Sequence, residues 1–324
     1  MKLTYNIIKE ITFGAVRFFE EDGFLFPKRC TQAQEETWGK YIPDSGKYSK
    51  MTTGVRLDFY TNSSFIRFCY PTKDTRAYSS MKADDYELLV NGIFVAQTDK
   101  SGTFEYNLPS GENRVSIYFP ISAYGAISDL ELEDGATCTP YTYKRKFMFF
   151  GDSITQGFTS SYSHLTYAAQ ISQYFDADFL NQAVGCGDFF PATFDNSVEF
   201  TPDYVFIAFG TNDYNHFGSL DTLRKRGNDF LDLVQAKYPS ATVIGISPLW
   251  RGDAQNKRAM GTFEQCCETV KELHKARGFY LLEGEALTPH EPSFYADEIS
   301  LHPTTLGFGV YASNIIKRIS NIIK

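Results

Sequence analysis

The amino-acid sequence predicts a β-sandwich followed by an α/β domain, because the hydrophobic pattern changes part-way along the chain. Before about residue 140, short runs of alternating apolar and polar residues are separated by Gly, Asn and Pro, which is typical of antiparallel strands in a sandwich. After Tyr143, apolar runs of strand length alternate with helical stripes, which indicates a parallel sheet flanked by helices. We expect the boundary within residues 139–144, so that the two domains are residues 1–142 and 143–324.

The first half contains strand patterns that can be placed individually. The expected strands are residues 55–60, 65–70, 86–90, 93–96, 104–108 and 114–119. Asn91-Gly92 lies between two of them and is a strong signal for a β-hairpin. A short helix is expected over residues 31–41, with Thr31 as its N-cap.

The second half contains strands and helices in alternation. The expected strands are residues 147–150, 178–184, 204–209, 242–246 and 279–282. Apolar residues at helical spacing predict helices over residues 165–175, 220–234, 260–270 and 306–323. His274 follows the third of these stripes beside Lys271 and Lys275, and we expect its ring to be solvated.

Composition and charge exclude several classes of protein. The formal net charge is −8 and no basic stripe is present, so we expect no nucleic-acid partner. The six cysteines show neither CxxC pairs nor zinc spacing, which favours reduced thiols and no metal site. The first residues lack the apolar core of a signal peptide, and no apolar run approaches the ~20 residues of a membrane span. The sequence therefore predicts a cytoplasmic protein without a membrane partner.

Four polar segments carry the candidate chemistry, three of them at the ends of predicted strands and one before the last helix. They are residues 151–155 (GDSIT), 181–188 (NQAVGCGD), 210–213 (GTND) and 300–304 (SLHPT). Ligands bind at the carboxyl ends of the strands in an open α/β sheet, so we expect these segments to meet at one edge. Ser153 is a candidate nucleophile there, provided that a base takes its proton.

In these four segments the chain resembles the SGNH (GDSL-type) hydrolase family, whose sequence blocks occur in this order. The resemblance covers about residues 146–324 and implies a flavodoxin-like parallel sheet flanked by helices. A preceding sandwich, of jelly-roll type, resembles the arrangement in certain bacterial carbohydrate acetylesterases. The resemblance also implies that Ser153 attacks an ester carbonyl and that His302 takes its proton. It implies an oxyanion hole made by the Ser153 N–H, a backbone N–H of the second block and the Asn212 amide, with neither metal nor organic cofactor.

The second block departs from the family pattern. The key glycine of the family commonly lies five residues after the asparagine, and that position is Cys186 in this chain. Gly185 and Gly187 flank it, and we favour Gly185 as the donor. A cysteine there need not abolish the function, because the donor is a backbone N–H.

The position of the catalytic acid departs as well. The family usually has it three residues before the histidine, which is Ile299 in this chain. Two alternatives remain open at this point. Either the loop bulges so that Asp297 reaches His302, or a backbone carbonyl orients the histidine in a Ser–His dyad.

Trp250 and Arg251 follow the strand at residues 242–246 and are expected at the same edge. Trp250 could stack on a sugar ring and Arg251 could hold a polar group of the substrate. Packing and an ion pair are an equally good interpretation of both residues.

The sequence thus predicts a serine esterase that removes short acyl groups, acetyl in particular, from carbohydrates through an acyl-enzyme intermediate. One alternative is a lipid or thioester acylhydrolase of the same superfamily. Another is a glycan-binding protein with a degenerate hydrolase domain, which the missing acid at Ile299 motivates.

Overall fold

The computed structural model describes residues 1–71 and 84–323 and shows antiparallel sheets followed by one parallel sheet. The antiparallel strands are β1 (Thr12–Phe13), β2 (Arg17–Glu21), β3 (Phe24–Lys28), β4 (Arg56–Thr61), β5 (Phe65–Cys69), β6 (Glu87–Val90), β7 (Ile93–Gln97), β8 (Thr103–Asn107), β9 (Asn113–Tyr118), β10 (Ser128–Leu132) and β11 (Thr139–Pro140). The parallel strands are β12 (Arg145–Gly151), β13 (Ala177–Asn181), β14 (Tyr204–Ala208), β15 (Thr242–Ile246) and β16 (Tyr280–Leu282). The α-helices are α1 (Tyr5–Glu10), α2 (Gln32–Tyr41), α3 (Pro43–Tyr48), α4 (Ser153–Gln156), α5 (Tyr167–Tyr174), α6 (Asp213–His216), α7 (Leu220–Lys237), α8 (Phe263–Lys275) and α9 (Thr305–Ile319).

Two antiparallel sheets share one core in the first half. One sheet has the order β1-β4-β9-β6-β7, with β11 also paired to β4, and the other has the order β10-β5-β8. Phe59 and Ile117 of the first sheet pack in the same fully buried cluster as Ile66 and Phe68 of the second. The predicted hairpin is confirmed, because the turn that starts at Asn91 joins β6 to β7.

The parallel sheet has the order β13-β12-β14-β15-β16, which is the 2-1-3-4-5 order of flavodoxin-like folds. Helices cover both faces, so a central strand such as β12 is apolar on both sides. Phe147 and Phe149 point into one core while Met148 and Phe150 point into the other. The expected α/β fold is therefore confirmed. In the described part of the chain, no helix is both long and apolar enough to span a membrane.

Helices α2 and α3 leave the antiparallel half and pack onto the parallel one. Helix α2 begins where predicted, with Thr31 and Gln34 forming a reciprocal capping box. Trp38 of α2 lies in a buried cluster with Phe158 and Val184 of the second half. Many contacts thus join the two halves, and the division at residues 142 and 143 stays a prediction.

The expectation that His274 is solvated was wrong. Its ring is fully buried against Gly245 of β15, where the atoms of any added side chain would collide with it. Neither ring nitrogen has a hydrogen-bond partner among residues 1–71 and 84–323. Burial, helped by the charge of Arg277, lowers the pKa of His274 to about 3. The sequence feature that indicates this burial is Gly245, because a residue without a side chain on the strand leaves room for the imidazole.

Candidate active site

Ser153 lies where the apolar strand β12 ends and helix α4 begins. Asp152 is the N-cap of α4, and its carboxylate accepts a hydrogen bond from the Ile154 N–H at 2.9 Å. Burial raises the pKa of Asp152 to about 6, against the lowering effect of that hydrogen bond. The next two strands along the chain, β13 and β14, lie on opposite sides of β12. Ser153, at the end of β12, therefore lies at the topological switch point, where ligands bind in such sheets.

Ser153, His302 and Asp297 form a continuous hydrogen-bonded chain. The Ser153 Oγ lies 2.8 Å from His302 Nε2, and His302 Nδ1 lies 2.7 Å from Asp297 Oδ2. Phe158 stacks on the His302 ring, with centroids 6.0 Å apart. A hydroxyl, an imidazole and a carboxylate are thereby in the contact order that a serine nucleophile, its base and the group that orients the base would need.

A bulge in the last loop lets Asp297 reach His302 from five residues away. Ser300 adopts a left-handed conformation with φ +50°, and its N–H donates to the Asp297 carbonyl at 3.0 Å. The backbone N–H groups of Leu301 and His302 donate to the Asp297 carboxylate at 2.7 and 2.9 Å. Ile299 is turned outward and is 42% exposed. Of the two alternatives left open by the sequence, the structure has the bulge.

The electrostatics of Asp297 fit this position. Partial burial raises the pKa of its carboxyl group, but the hydrogen bonds from the His302 side chain and from the two backbone N–H groups outweigh burial. The net result is a pKa below the ordinary value. The carboxylate therefore stays charged while it holds the His302 ring.

The backbone donor expected at Gly185 requires a correction. The Gly185 N–H donates to the Gln156 Oε1 at 2.6 Å, and the Gly187 N–H donates to the Val184 carbonyl at 2.8 Å. Both groups are therefore engaged within the protein. The Cys186 N–H has no acceptor in the described ranges, which makes it the available donor of this segment.

Asn212 lies four residues after the end of β14 and contacts the second block. Its Nδ2 donates to the Gly187 carbonyl at 3.0 Å, and this leaves one amide N–H for a ligand. Asp213 fixes the loop, because its carboxylate accepts the N–H groups of Phe189 at 3.0 Å and Gly210 at 2.8 Å. The structure thus brings Ser153, His302, Asp297, the second block and Asn212 to one edge of the sheet.

Of the two interpretations left open for Arg251, the structure shows the ion pair. Its side chain is 1% exposed, forms a two-point ion pair with Asp253, and donates to the Thr211 carbonyl at 3.3 Å. These contacts make Arg251 a structural residue. Trp250 is partly buried and stacks on His290, with centroids 5.1 Å apart, so its contact with substrate stays a prediction.

A buried acid that sequence patterns do not reveal links α2 to the site. Asp188 is fully buried and its Oδ2 accepts hydrogen bonds from the Tyr41 hydroxyl and from His216 Nδ1, both at 2.9 Å. His216 lies one helical turn after Asn212, which was the only local signal for its position. Tyr41 is distant in sequence, so its contact with the second block appears only in the fold.

A model of the GDSL-like Lipase/Acylhydrolase family matches residues 149–310, which is half of the chain. The chain belongs to this family. The resemblance stated from the sequence blocks is therefore confirmed, and the matched stretch contains both Ser153 and His302. No curated protein matches the sequence.

Solved structures extend the fold likeness beyond the matched stretch of this GDSL-type chain. The salicylyl-acyltransferase SsfX3 from a tetracycline biosynthetic pathway is 18% identical, with a TM-score of 0.79 over 96% of this chain and 94% of its own. A protein from Bacteroides ovatus described as a GDSL-like lipase is also 18% identical, with a TM-score of 0.77 over 100% and 98%. A family two carbohydrate esterase from Clostridium thermocellum, in complex with cellohexaose, is 16% identical, with a TM-score of 0.67 over 96% and 99%. At these identities the likeness is one of fold.

Proposed function

We propose that this protein is a serine esterase that removes short acyl groups, acetyl in particular, from carbohydrates or similar polyols. The observation that carries the proposal is the chain of contacts from Ser153 Oγ through His302 to Asp297. Three residues from distant parts of the sequence meet there in the geometry of an activated serine.

The reaction follows from these positions. His302 Nε2 takes the Ser153 proton as Oγ attacks the ester carbonyl, and the charged carboxylate of Asp297 stabilises the imidazolium that forms. The N–H groups of Ser153 and Cys186 and the Asn212 amide donate to the tetrahedral oxyanion. His302 then returns the proton to the leaving alcohol, which leaves an acyl group on Ser153. Water, activated by the same imidazole, releases the acid and restores the serine.

Two observations support a carbohydrate substrate: the substrates of proteins with a similar fold, and one aromatic residue of this chain. Solved structures with this fold include the family two carbohydrate esterase bound to cellohexaose and an acetyl xylan esterase from Butyrivibrio proteoclasticus. Within the chain, Trp250 is partly exposed after β15, at the same edge of the sheet as Ser153, and a flat indole suits the apolar face of a sugar ring.

The test is acetate release from a panel of acetylated mono- and oligosaccharides by the wild type and two variants. Ser153→Ala is expected to lower kcat by at least about 10⁴-fold, since the nucleophile is lost. Ser161→Ala is the matched control, because Ser161 is exposed and lies outside the hydrogen-bonded chain. Equal acetate release by the wild type and Ser153→Ala would show that the proposed mechanism is wrong.

Acyl transfer to an alcohol is a second candidate, favoured by the acyltransferase SsfX3, whose fold matches nearly the whole chain. The same acyl-enzyme would then be attacked by an acceptor hydroxyl instead of water. Product analysis with 4-nitrophenyl acetate and added sugar or polyol distinguishes the two. Sugar ester as the main product supports transfer, whereas free acetate as the main product supports hydrolysis.

A lipid or thioester acylhydrolase would use the same mechanism and would differ from the proposed esterase only in its substrate. A series of 4-nitrophenyl esters from acetyl to palmitoyl separates it from the proposal. We expect kcat/KM to be highest for acetyl and to fall with chain length. A maximum at long chains would favour the lipid alternative.

A further inference from the structure

The peptide bond between Gly185 and Cys186 is held from its carbonyl side by a residue of the first half. Ser45 lies in α3 and is fully buried. Its Oγ donates a hydrogen bond to the Gly185 carbonyl at 2.8 Å. The same peptide unit carries the Cys186 N–H, which is the available donor of the second block.

The local geometry directs this N–H away from Ser45. The Gly187 N–H bonds to the Val184 carbonyl and Cys186 has φ +62°, as in a type II turn whose central peptide is Gly185–Cys186. A trans peptide is planar, and its C=O and N–H point in opposite directions. A carbonyl directed at Ser45 therefore leaves the N–H directed to the other side of the turn.

The elements around this turn carry the other groups of the candidate site. The Val184 N–H donates to the Gly151 carbonyl at 3.1 Å, so the turn begins beside the strand end that presents Ser153. A side chain on Gly185 would lie 2.6 Å from the Phe158 ring, which in turn stacks on His302. Asn212 binds the far end of the turn through the Gly187 carbonyl.

We propose that Ser45 is a positioning residue for the oxyanion hole. Its hydroxyl fixes the plane of the Gly185–Cys186 peptide and polarises it, so that the Cys186 N–H donates more strongly to the oxyanion. The inference rests on the proposed esterase function and gives the first half of the chain a role in catalysis.

A second buried residue of the first half, Arg29, fixes the position of Ser45 relative to the turn. The Arg29 guanidinium donates to the Tyr48 carbonyl at 2.8 Å, at the end of α3. It also donates to the Asn181 carbonyl at 2.9 Å and to the Ala183 carbonyl at 2.5 Å, directly before the turn. One rigid, planar group thus fixes both the helix that carries Ser45 and the segment that Ser45 contacts.

The test compares Ser45→Ala with Ser49→Ala in the full-length protein. Ser49 is a buried serine that follows the same helix, and its hydroxyl contacts the Gly46 carbonyl instead of the turn. With 4-nitrophenyl acetate, Ser45→Ala is expected to lower kcat by about 10- to 100-fold, less than the loss of a whole donor, and to change KM less than about two-fold. Inhibition by phenylboronic acid, which forms a tetrahedral adduct on an active serine, should weaken by a similar factor. Ser49→Ala should leave all three values within about two-fold of the wild type.

Other results overturn the inference. A kcat of Ser45→Ala within two-fold of the wild type would show that the peptide does not depend on Ser45. Equal losses in both variants, or a lower kcat with unchanged boronate inhibition, would show a general effect on packing. The esterase proposal itself fails only if the wild type lacks activity or if Ser153→Ala retains it, so the two failures can be told apart.

Discussion

At the scale of single residues, the proposed chemistry depends on which polar groups are already engaged. The Gly185 N–H is bound by Gln156 and the Arg251 guanidinium by Asp253, so neither is available to a substrate. His302 Nδ1 is bound by Asp297, which directs Nε2 at the serine. Only the fold decides these pairings, because each joins residues whose types alone would allow several partners.

Replacement of Asp297 tests the bulged loop. Asp297→Asn removes the charge that stabilises the imidazolium, and kcat for 4-nitrophenyl acetate is expected to fall by about 10³- to 10⁴-fold. Glu298→Gln is the matched control, because Glu298 is the exposed neighbour and should change kcat less than about two-fold. Undiminished turnover of Asp297→Asn would favour a dyad oriented by the backbone.

Replacement of Asn212 tests the side-chain oxyanion donor. Asn212→Ala is expected to lower kcat by about 10²- to 10³-fold, because a preorganised donor to the developing charge is lost. The control is Asn215→Ala, an exposed position on the same short helix. Comparable kcat values for the two variants would exclude Asn212 from the oxyanion hole.

The conformation of Cys186 gives a contrasting expectation. Its φ of +62° is the left-handed conformation that glycine adopts without strain. Cys186→Gly keeps the backbone N–H, so kcat should stay within about three-fold of the wild type. A loss as large as that of Asn212→Ala would assign a role to the thiol instead of the backbone.

At the scale of elements, the periodic segments were predictable and the irregular ones were not. Strand β12 and helix α2 lie within a residue or two of their expected positions, because apolar runs and a capping threonine are local signals. Helix α3 was missed, since its six residues start with proline and lack an apolar stripe. The loop that carries Asp297 was left open, because a single residue with positive φ at Ser300 shifts its register.

The packing of α8 on β15 predicts a stability that depends on pH. The pKa of His274 is about 3 in the folded protein, below the ordinary value of 6.5, so protons bind the unfolded chain preferentially. Burial of the neutral ring therefore contributes fully to the free energy of unfolding above pH 6.5, and this contribution is lost as the pH falls toward 3. Between pH 7 and pH 5 this amounts to about 2 kcal/mol.

Urea unfolding of the wild type and His274→Leu at both pH values measures this effect. The wild type should lose about 2 kcal/mol more than the variant, whose apolar side chain does not titrate. Parallel losses in the two proteins would contradict the buried, neutral state of His274.

At the scale of the whole molecule, buried polar groups join the two halves of the chain. Arg29 is 1% exposed and bonds to carbonyls on both sides of the junction. Arg56, also 1% exposed, pairs with Asp178 at 2.9 Å. These long-range contacts could not be predicted, because an arginine in a strand-rich sequence gives no sign of a partner more than a hundred residues away.

One cooperative unfolding transition is therefore expected, with equal calorimetric and van't Hoff enthalpies. Arg29→Met should lower the midpoint of that single transition, since each buried carbonyl left without a donor costs about 1–3 kcal/mol. Differential scanning calorimetry measures both properties. Two resolved transitions, with only one of them shifted by Arg29→Met, would show that the halves unfold independently.

Covalent labelling tests whether Ser153 is an activated nucleophile, on which the whole proposed mechanism depends. The protein is treated with a fluorophosphonate at neutral pH, and the modified peptide is identified by mass spectrometry. We expect a single adduct on Ser153, formed much more slowly when His302 is replaced by alanine. An unmodified Ser153, or labelling that proceeds equally without the imidazole, would contradict it.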